Sequence, residues 1–407
     1  MTMSEEPTRL SAALSEAVAD LEIPNPQALY AGAVRKRRRR IKRRRSIGAG
    51  MVAAVAAVGV GATMLAALGP GRQAASSTHP GTPQATSPAR IAETSTIAFN
   101  RSGTMLASAG GDGRVRLWST ATWKQIGAFD VGSVVDEVTF DPSGTVLATA
   151  DADGTVRLWN PVTRTQIGAG IDVDKEAVNG VSFNSDGTVL ATAADNGLVQ
   201  LWSTATQKPI GTLTVDGANV NVGVCAVAFD SAGTVIATFD GAGRDQLWDP
   251  TTRTQIGATL TGYVQVKTGI GACVGALSPD GDILAGPADQ EGRVPLWSTA
   301  TQKQIGDLPA GTSVYDMTFD STGTVLATTG EDGGIRLWNM GTRTQSAEIA
   351  AGKGVFSLTF NPSGTLIADV GRGGIQLWDL ATGKLIVTLA PPFIGAGAAA
   401  SKTYYGA

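Results

Sequence analysis

The sequence contains very few of the residues that enzymes use for acid–base chemistry or metal binding. Its 407 residues include one histidine, His79, and two cysteines. Ser–His and Cys–His nucleophile arrangements and His-based metal sites are therefore excluded from residues 80–407. No Cys-x-x-Cys, phosphate-loop or dinucleotide-binding motif occurs where a strand would lead into a helix. These absences predict a protein that is not an enzyme and that holds no cofactor or metal.

Paired carboxylates leave one enzymatic alternative open, an acid-based hydrolase. Asp151 and Asp153 are two residues apart, as such a mechanism could use. Both fall in a predicted tight turn, where Asp is frequent because its side chain hydrogen-bonds the backbone. Turn chemistry is the preferred interpretation of this pair.

Charged residues are also scarce, at 16% of the chain, and they are unevenly distributed. Residues 1–45 carry 11 of the 32 Lys and Arg but only 5 of the 35 Asp and Glu. The rest of the chain is acidic, with 21 basic against 30 acidic residues. Phosphate contacts need clustered Lys and Arg, so we expect no nucleic-acid partner for this part.

An uncharged run rich in Ala, Val and Gly extends over residues 47–68. At about 1.5 Å per helical residue, it is long enough to cross a bilayer core of about 30 Å. A basic cluster at 35–45 precedes it, and such clusters stay on the cytoplasmic side. The sequence therefore predicts a cytoplasmic tail (1–45), a transmembrane helix (46–69) and an extracytoplasmic remainder. A cleaved signal peptide is the alternative, which the long leader disfavours.

The rest of the chain consists of repeats, marked by the pair Leu-Trp. The seven tryptophans of these pairs are Trp118, Trp159, Trp202, Trp248, Trp297, Trp338 and Trp378. Each unit contains short apolar segments separated by Gly-containing turns, enough for four strands. The units fill residues 92–390, between a Pro/Ser/Thr-rich stalk (70–91) and a flexible C-terminal tail (391–407).

Three motifs in one unit return in the others: Phe140-Asp-Pro-Ser-Gly144, Leu147-Ala-Thr149 and Asp153-Gly-Thr-Val156-Arg-Leu158-Trp159. Four short strands per unit, carrying these motifs, resemble the WD40 family. The resemblance covers residues 92–390. It implies an all-β fold, a seven-bladed β-propeller in which each blade is a four-stranded sheet.

The WD40 family often braces each blade through hydrogen bonds among a Trp, a Ser or Thr, a His and an Asp. This sequence keeps some of these residues, namely Ser108, Thr149, Thr192, Thr238 and Thr328 with Asp112, Asp153 and Asp332. The His is absent from every unit. We therefore expect blade stability to depend more on packing than on the usual hydrogen-bonded set.

Two further expectations come from features that all units share. Each unit has its own first and fourth strand, so we expect blade 1 to seal against blade 7 by face packing, without exchange of a strand. A Thr follows four residues after every repeat Trp. We expect its hydroxyl to satisfy backbone groups in the turn between the third and fourth strands.

Differences between the units indicate where a partner binds. The distance from the first-strand Phe to the next Trp is 19 residues in five units, whereas the loops between units vary in length. Insertions on one rim commonly mark a binding face. The first strands also differ there, and we predict six partner-binding residues: Asp136, Glu137, Asn179, Tyr315, Asp316 and Phe356. Neutral variation at exposed positions is the alternative.

The predicted function is a membrane-tethered extracytoplasmic scaffold that binds a protein or peptide. The predicted rim is acidic, which favours a basic or mixed-charge partner. A propeller that binds cell-wall glycan or a small ligand is the alternative, and it would need an aromatic cluster. Aromatic residues are sparse, and only Tyr263, Tyr315 and Phe356 could contribute to one.

The two cysteines occupy matching positions on the first strands of blades 4 and 5. A disulfide needs Cα atoms about 4.4–6.8 Å apart, whereas stacked sheets lie about 10 Å apart except near the axis. We therefore expect Cys225 and Cys273 to be buried free thiols. A bridge stays open, because disulfides persist in an exported compartment.

Overall fold

The computed structural model describes residues 94–173, 175–216, 223–261, 274–311, 313–352 and 354–389. These residues form seven antiparallel sheets, one for each repeat, arranged as a seven-bladed β-propeller. The predicted tail (1–45), transmembrane helix (46–69), stalk (70–91) and C-terminal segment (391–407) lie outside them. Within the described residues, no helix is long and apolar enough to cross a membrane.

The blades follow one another along the chain, and each pairs its strands in sequence order. Blades 1 to 3 contain β1 (Thr94–Phe99), β2 (Met105–Gly110), β3 (Arg114–Ser119), β4 (Gln125–Asp130), β5 (Val135–Phe140), β6 (Leu147–Asp151), β7 (Thr155–Asn160), β8 (Thr165–Asp172), β9 (Val178–Phe183), β10 (Val189–Ala194), β11 (Leu198–Ser203) and β12 (Pro209–Thr214). The outer strand of blade 4 is in two pieces. This blade contains β13 (Val224–Phe229), β14 (Ile236–Asp240), β15 (Arg244–Asp249), β16 (Thr254–Gln255) and β17 (Leu260–Thr261).

Blade 5 has the shortest first and second strands, and blades 6 and 7 return to the regular pattern. These three blades contain β18 (Ala276–Leu277), β19 (Ile283–Ala285), β20 (Arg293–Ser298), β21 (Lys303–Pro309), β22 (Val314–Phe319), β23 (Val325–Gly330), β24 (Gly334–Asn339), β25 (Thr344–Ala350), β26 (Val355–Phe360), β27 (Leu366–Gly371), β28 (Gly374–Asp379) and β29 (Lys384–Thr388). The pair Gly286-Pro287 directly follows the short second strand β19. Pro295 is nevertheless accommodated within β20, opposite Asp307.

Burial increases from the outer strand toward the middle of each blade. All five residues of β6 are buried, because a second strand is covered by neighbouring blades on both faces. The outer strand β8 of the same blade is exposed over its first five residues. Apolar β-branched and small residues fill the covered strands, as expected for a sheet buried on two sides.

Seven clusters of buried apolar side chains hold the ring together, and each is shared by two neighbouring blades. At the closing seam, Leu106 and Trp118 of blade 1 pack against Ile375 and Leu377 of blade 7. Blade 7 takes its fourth strand, β29, from its own repeat. The prediction of closure by face packing is confirmed for the described residues.

The turn between first and second strands depends on an Asp or Asn side chain. In blade 2, Asp141 accepts a hydrogen bond from the N–H of Val146 at 2.7 Å. Gly144 in the same turn has φ +73°, a conformation that favours glycine. This geometry explains why the Phe-Asp-Pro-Ser-Gly motif returns in variant form along the chain.

The Thr four residues after each Trp acts differently from the prediction. The hydroxyl of Thr163 pairs with that of Thr165 at 2.7 Å, and Thr252 pairs with Thr254 in the same way. The backbone N–H of Thr163 donates instead to the side chain of Asn160. In these turns the Asn or Asp after the Trp satisfies the backbone, so the predicted backbone role of the hydroxyl is wrong there.

Candidate interaction face

Antiparallel pairing places two kinds of connection at the same end of every blade. The loops that join one blade to the next lie at the end where the second-to-third strand turns also lie. We call this end the loop face. It carries the predicted binding rim, because the first strands begin there.

Most of the repeat tryptophans are anchored by a hydrogen bond within their own blade. The indole N–H donates to a hydroxyl or carboxylate of the second strand, at 2.5–3.2 Å, in six blades. The acceptors are Ser108, Thr149, Thr192, Thr238, Thr328 and, in blade 7, Asp369. Half of the family's brace therefore survives without histidine.

The Asp of the family brace has a different partner here, an Arg two residues before the Trp. Arg116 pairs with Asp112 at 2.6 Å, and Arg157 pairs with Asp153 at 2.8 Å. Arg336 and Asp332 form the same ion pair in blade 6. Sequence reasoning missed these arginines, although their constant spacing from Asp and Trp could have revealed them. They neutralise several acids of the loop face.

Three polar side chains join neighbouring blades through the third residue of the first strand. Glu137 accepts a hydrogen bond from the N–H of Val181 in blade 3 at 3.0 Å. Asp316 accepts one from the N–H of Leu358 in blade 7 at 2.8 Å. Thr96 acts similarly toward blade 2. Glu137 and Asp316, both predicted to bind a partner, therefore also hold the ring together.

The second residue of the first strand contacts the next blade in blades 1 and 3. Asn179 donates to the carbonyl of Val224 in blade 4 at 3.1 Å, and Ser95 lies similarly toward blade 2. Cys225 occupies the same position and is disulfide-bonded. The predicted free thiol is therefore wrong for Cys225. Cys273, the only other cysteine of the sequence, lies outside the described residues.

The rim residues are less exposed than the sequence predicts. Asp136, Asn179 and Asp316 are buried, at 8%, 9% and 5% exposure. Glu137, Tyr315 and Phe356 are half-buried. The expectation of exposed positions is wrong for the first three, because a first strand is enclosed by both neighbouring blades. Their role in binding stays a prediction.

The structure brings two of the predicted binding residues together. The rings of Tyr315 and Phe356, on adjacent blades, lie 6.2 Å apart between centroids with a 35° angle between their planes. Burial raises the pKa of the Tyr315 phenol, Glu331 adds to this effect and Arg372 opposes it. A half-buried aromatic pair therefore lies beside one acidic and one basic side chain, both exposed. Tyr263, the third aromatic considered, lies outside the described residues.

The pair Asp151 and Asp153 is bound to one cation. Arg157 contacts the carboxylate of Asp151 at 2.5 Å and that of Asp153 at 2.8 Å. Burial raises the pKa of Asp151 to about 7, although Arg157 acts in the opposite direction. Both carboxylates are thus held within the turn, which fits the preferred interpretation by turn chemistry. Among the described residues, no cluster of three or more His, Cys, Asp or Glu could hold a metal.

A family model for the WD domain, G-beta repeat, matches residues 88–119, 124–160, 171–203 and 302–339. The matched stretches overlap blades 1, 2, 3, 5 and 6. These stretches are therefore similar to WD40 repeats, and the seven sheets form a seven-bladed propeller. Such propellers generally serve as protein-interaction scaffolds. A comparison with curated proteins finds no match.

Proposed function

We propose that this protein is a membrane-tethered scaffold that binds a protein or peptide on the loop face of an extracytoplasmic propeller. The observation that carries the binding site is the pair formed by Tyr315 and Phe356. Half-buried aromatic side chains beside polar groups are typical anchors of protein interfaces. Binding is placed at this end of blades 6 and 7, close to the start of their first strands.

The charges of the loop face favour a basic or mixed-charge partner. Several arginines of the loop face are already paired with Asp within their own blades. Acidic side chains at the ends of the outer strands, such as Asp130 and Asp172, are exposed. Beside the aromatic pair, Glu331 adds an exposed carboxylate and Arg372 an exposed cation. A partner that offers an apolar side chain next to Lys or Arg would match this arrangement.

The membrane tether is proposed from the sequence. An uncharged run at 47–68 follows a basic cluster at 35–45, which favours a single helix with its N-terminus in the cytoplasm. Residues 70–91 would then separate the propeller from the bilayer. The propeller would act as an external receptor surface, with residues 1–45 on the opposite side of the membrane.

The binding site is tested by replacing the aromatic pair. In intact cells, partners are crosslinked to the native chain, to the double variant Y315S/F356S and to the control I126A. Ile126 is an exposed apolar residue on the outer strand β4, away from the loop face. We expect the specific partner to be lost with Y315S/F356S and retained with I126A. The rate at which this partner associates with the native chain should fall as the salt concentration rises.

Circular dichroism and thermal unfolding must show that Y315S/F356S remains folded. Equal partner affinity of the folded double variant and the native chain would contradict the proposed site. The aromatic pair also provides the one observation that favours the glycan alternative, because sugars stack on aromatic rings. Saturable binding of purified cell-wall fragments that Y315S/F356S abolishes, with no protein partner crosslinked, would favour that alternative.

The tether is tested separately, by protease accessibility. With protease added to intact cells whose outer envelope is permeable, we expect cleavage within residues 92–390 and protection of 1–45. Antibodies against each end would report the fragments. A control with lysed membranes should expose both ends. Protection of the propeller in intact cells would overturn the extracytoplasmic placement and leave the binding site unaffected.

A further inference from the structure

Blade 4 carries a buried acid at a position where the other blades carry an apolar residue. The position lies three residues before the repeat Trp and is occupied elsewhere by Val115, Val156, Val199, Val294, Ile335 and Ile375. In blade 4 it is Asp245, which has no exposed surface. A carboxyl group thus takes the place of an aliphatic side chain inside the ring.

The facing blade has a complementary irregularity. Blade 5 has Gly286 where most blades have the Ser or Thr that accepts a hydrogen bond from the Trp. The indole N–H of Trp297 is consequently buried without a hydrogen-bond partner among the described residues. A Cβ at Gly286 would lie 2.8 Å from Oδ2 of Asp245 and 3.5 Å from Nε1 of Trp297. The acid of blade 4 therefore reaches into the space that a side chain of blade 5 would fill.

The rest of this seam is tightly packed and apolar. Phe239 occupies a second-strand position that is Ala in blades 1 to 3, and a Cβ on Gly275 of blade 5 would overlap its ring. Phe239, Leu247, Leu277 and Leu284 belong to the apolar cluster of the seam. The surroundings of Asp245 therefore offer little solvation to a charge.

Within the part of the chain that the structure describes, no hydrogen bond or ion pair to Asp245 compensates an ionised carboxylate. Neither of its oxygens has a hydrogen-bond partner among the described residues. Arg244, the adjacent cation, pairs with Asp240. Burial raises the pKa of Asp245 well above its ordinary value, and the nearby charge of Asp240 adds to the effect. Around the space at Gly286 the other neighbours are Pro295 and Trp297 of blade 5, neither of which titrates as an acid or base here.

We propose that the seam between blades 4 and 5 is a proton-controlled joint, closed while Asp245 is neutral and locally opened when Asp245 ionises and water enters. An ionised, unpaired carboxylate is too costly to keep in the closed seam, so opening is coupled to loss of the proton. The joint is confined to this seam, because the equivalent position of the other blades is Val or Ile. Opening would change the structure of the loop face at blades 4 and 5, since Asp245 lies near the start of β15.

The test is hydrogen exchange of the full-length chain in detergent, read by mass spectrometry between pH 5.5 and 8.5. Protection factors are corrected for the intrinsic pH dependence of exchange. For peptides of β15 and β20, we expect the native chain to lose protection with rising pH, by up to tenfold per pH unit for one released proton. Peptides of β11, which carries Val199 at the equivalent position, are the internal control and should change less.

Two variants separate this joint from other titrating groups. D245V introduces the residue of the other blades, and D245N keeps the shape of the acid without its ionisation. With either variant, the additional loss of protection in β15 and β20 should disappear. Should D245V fail to fold, D245N still decides the question. The proposal is overturned if the native chain shows no extra loss in β15 and β20, or if D245N shows the same loss.

Discussion

Gln302 of blade 5 lies directly over Gly257 of blade 4 and hydrogen-bonds the backbone on both sides of it. Its side-chain amide donates to the carbonyl of Ile256 at 2.7 Å and accepts from the N–H of Ala258 at 2.8 Å. A Cβ at Gly257 would overlap this amide. A turn residue of one blade is thus hydrogen-bonded to the outer strand of the preceding blade.

The same arrangement recurs around the perimeter of the ring. Glycines nine residues after the Trp in blades 1, 2, 3 and 5 lie against turn residues of the next blade, namely Arg164, Gln207, Arg253 and Arg343. The turn residues have positive φ, which is uncommon for side chains other than Gly. Two seams differ in a complementary way. At the closing seam Val387 takes the glycine position and Trp123 the turn position, and both pack against the apolar cluster of that seam. At the seam between blades 6 and 7 the glycine position is Ala347 and the turn position is Gly383.

A double-mutant cycle should reveal this perimeter contact. A Cβ at Gly211 would lie 2.5 Å from Cδ of Arg253, so G211A forces the Arg side chain to move. We expect G211A to lower the free energy of unfolding by about 1–2 kcal/mol. R253G removes the obstacle, and in the double variant the G211A effect should largely vanish. Urea unfolding measures all four proteins.

The Ala347 and Gly383 seam provides the matched control for this cycle. A347G should lower the free energy of unfolding by about 0.5–1 kcal/mol, because Gly loses more conformational freedom on folding than Ala does. This effect should simply add to that of R253G. Additive effects of G211A and R253G would show that the two residues do not interact in solution.

Asp369 should make stability depend on pH. It takes the Thr position of blade 7, its Oδ2 accepts from the indole N–H of Trp378, and burial raises its pKa to about 7. A raised pKa gives stability that is complete below the unfolded value near 3.8 and is lost as pH rises through about 7. We expect D369T, which introduces the Thr of blades 2, 3, 4 and 6, to stabilise the propeller at pH 8 by a few kcal/mol.

The gain from D369T should shrink toward pH 5, where the native acid is already neutral. Thermal and urea unfolding at pH 5, 6.5 and 8 would measure it. T192S in blade 3 is a control, because it keeps a hydroxyl acceptor for Trp202 and adds no titrating group. A D369T effect that is independent of pH would contradict the titration of Asp369 in this range.

Replacing Asp316 should lower the stability of the propeller, in addition to any effect on partner binding. Its carboxylate accepts a hydrogen bond from the N–H of Leu358 across the seam between blades 6 and 7. D316A leaves that buried donor without an acceptor, which costs about 1–3 kcal/mol. D316N retains an acceptor oxygen and should lose much less. Unfolding free energies that are equal for D316A and the native chain would argue against this cross-blade bond.

The disulfide at Cys225 leads to a labelling prediction. Since Cys273 is the only other cysteine of the sequence, we expect an intramolecular bridge. Alkylation under denaturing, non-reducing conditions should modify no thiol, and alkylation after reduction should modify two. The variant C225S is the control, in which a single thiol should react without reduction. Two reactive thiols in the unreduced native chain would contradict the bridge.

Repetition made the architecture predictable from the sequence. Seven Leu-Trp pairs predicted seven four-stranded blades, because a motif that is weak once becomes specific when it recurs. Closure by face packing followed from the complete first and last units. The site was harder to predict, because the environment of a first-strand residue depends on the neighbouring blade. Asp316 varies between units like an exposed residue, yet it is buried and bonded across a seam.

Comparison of the units at single positions could have revealed more. Asp245 among valines and isoleucines, and Gly286 among Ser and Thr, are visible as substitutions in the sequence. The sequence does not show the structural consequence of these two substitutions, because only the three-dimensional ring places Asp245 and Gly286 against each other. The alternation of Arg and Gln in the turns was also visible, and it is the packing on Gly211 and Gly257 that gives it a physical reason.

Because every blade is built from one continuous stretch of chain, the ring has no privileged starting point. The seam between blades 1 and 7 is held by the same kind of apolar contact as the seams within the chain. Joining residue 389 to residue 94 through a short linker and opening a loop elsewhere would interrupt no sheet. The propeller should therefore tolerate circular permutation. New chain ends could be placed at any blade, and a fused anchor would then be attached at that blade.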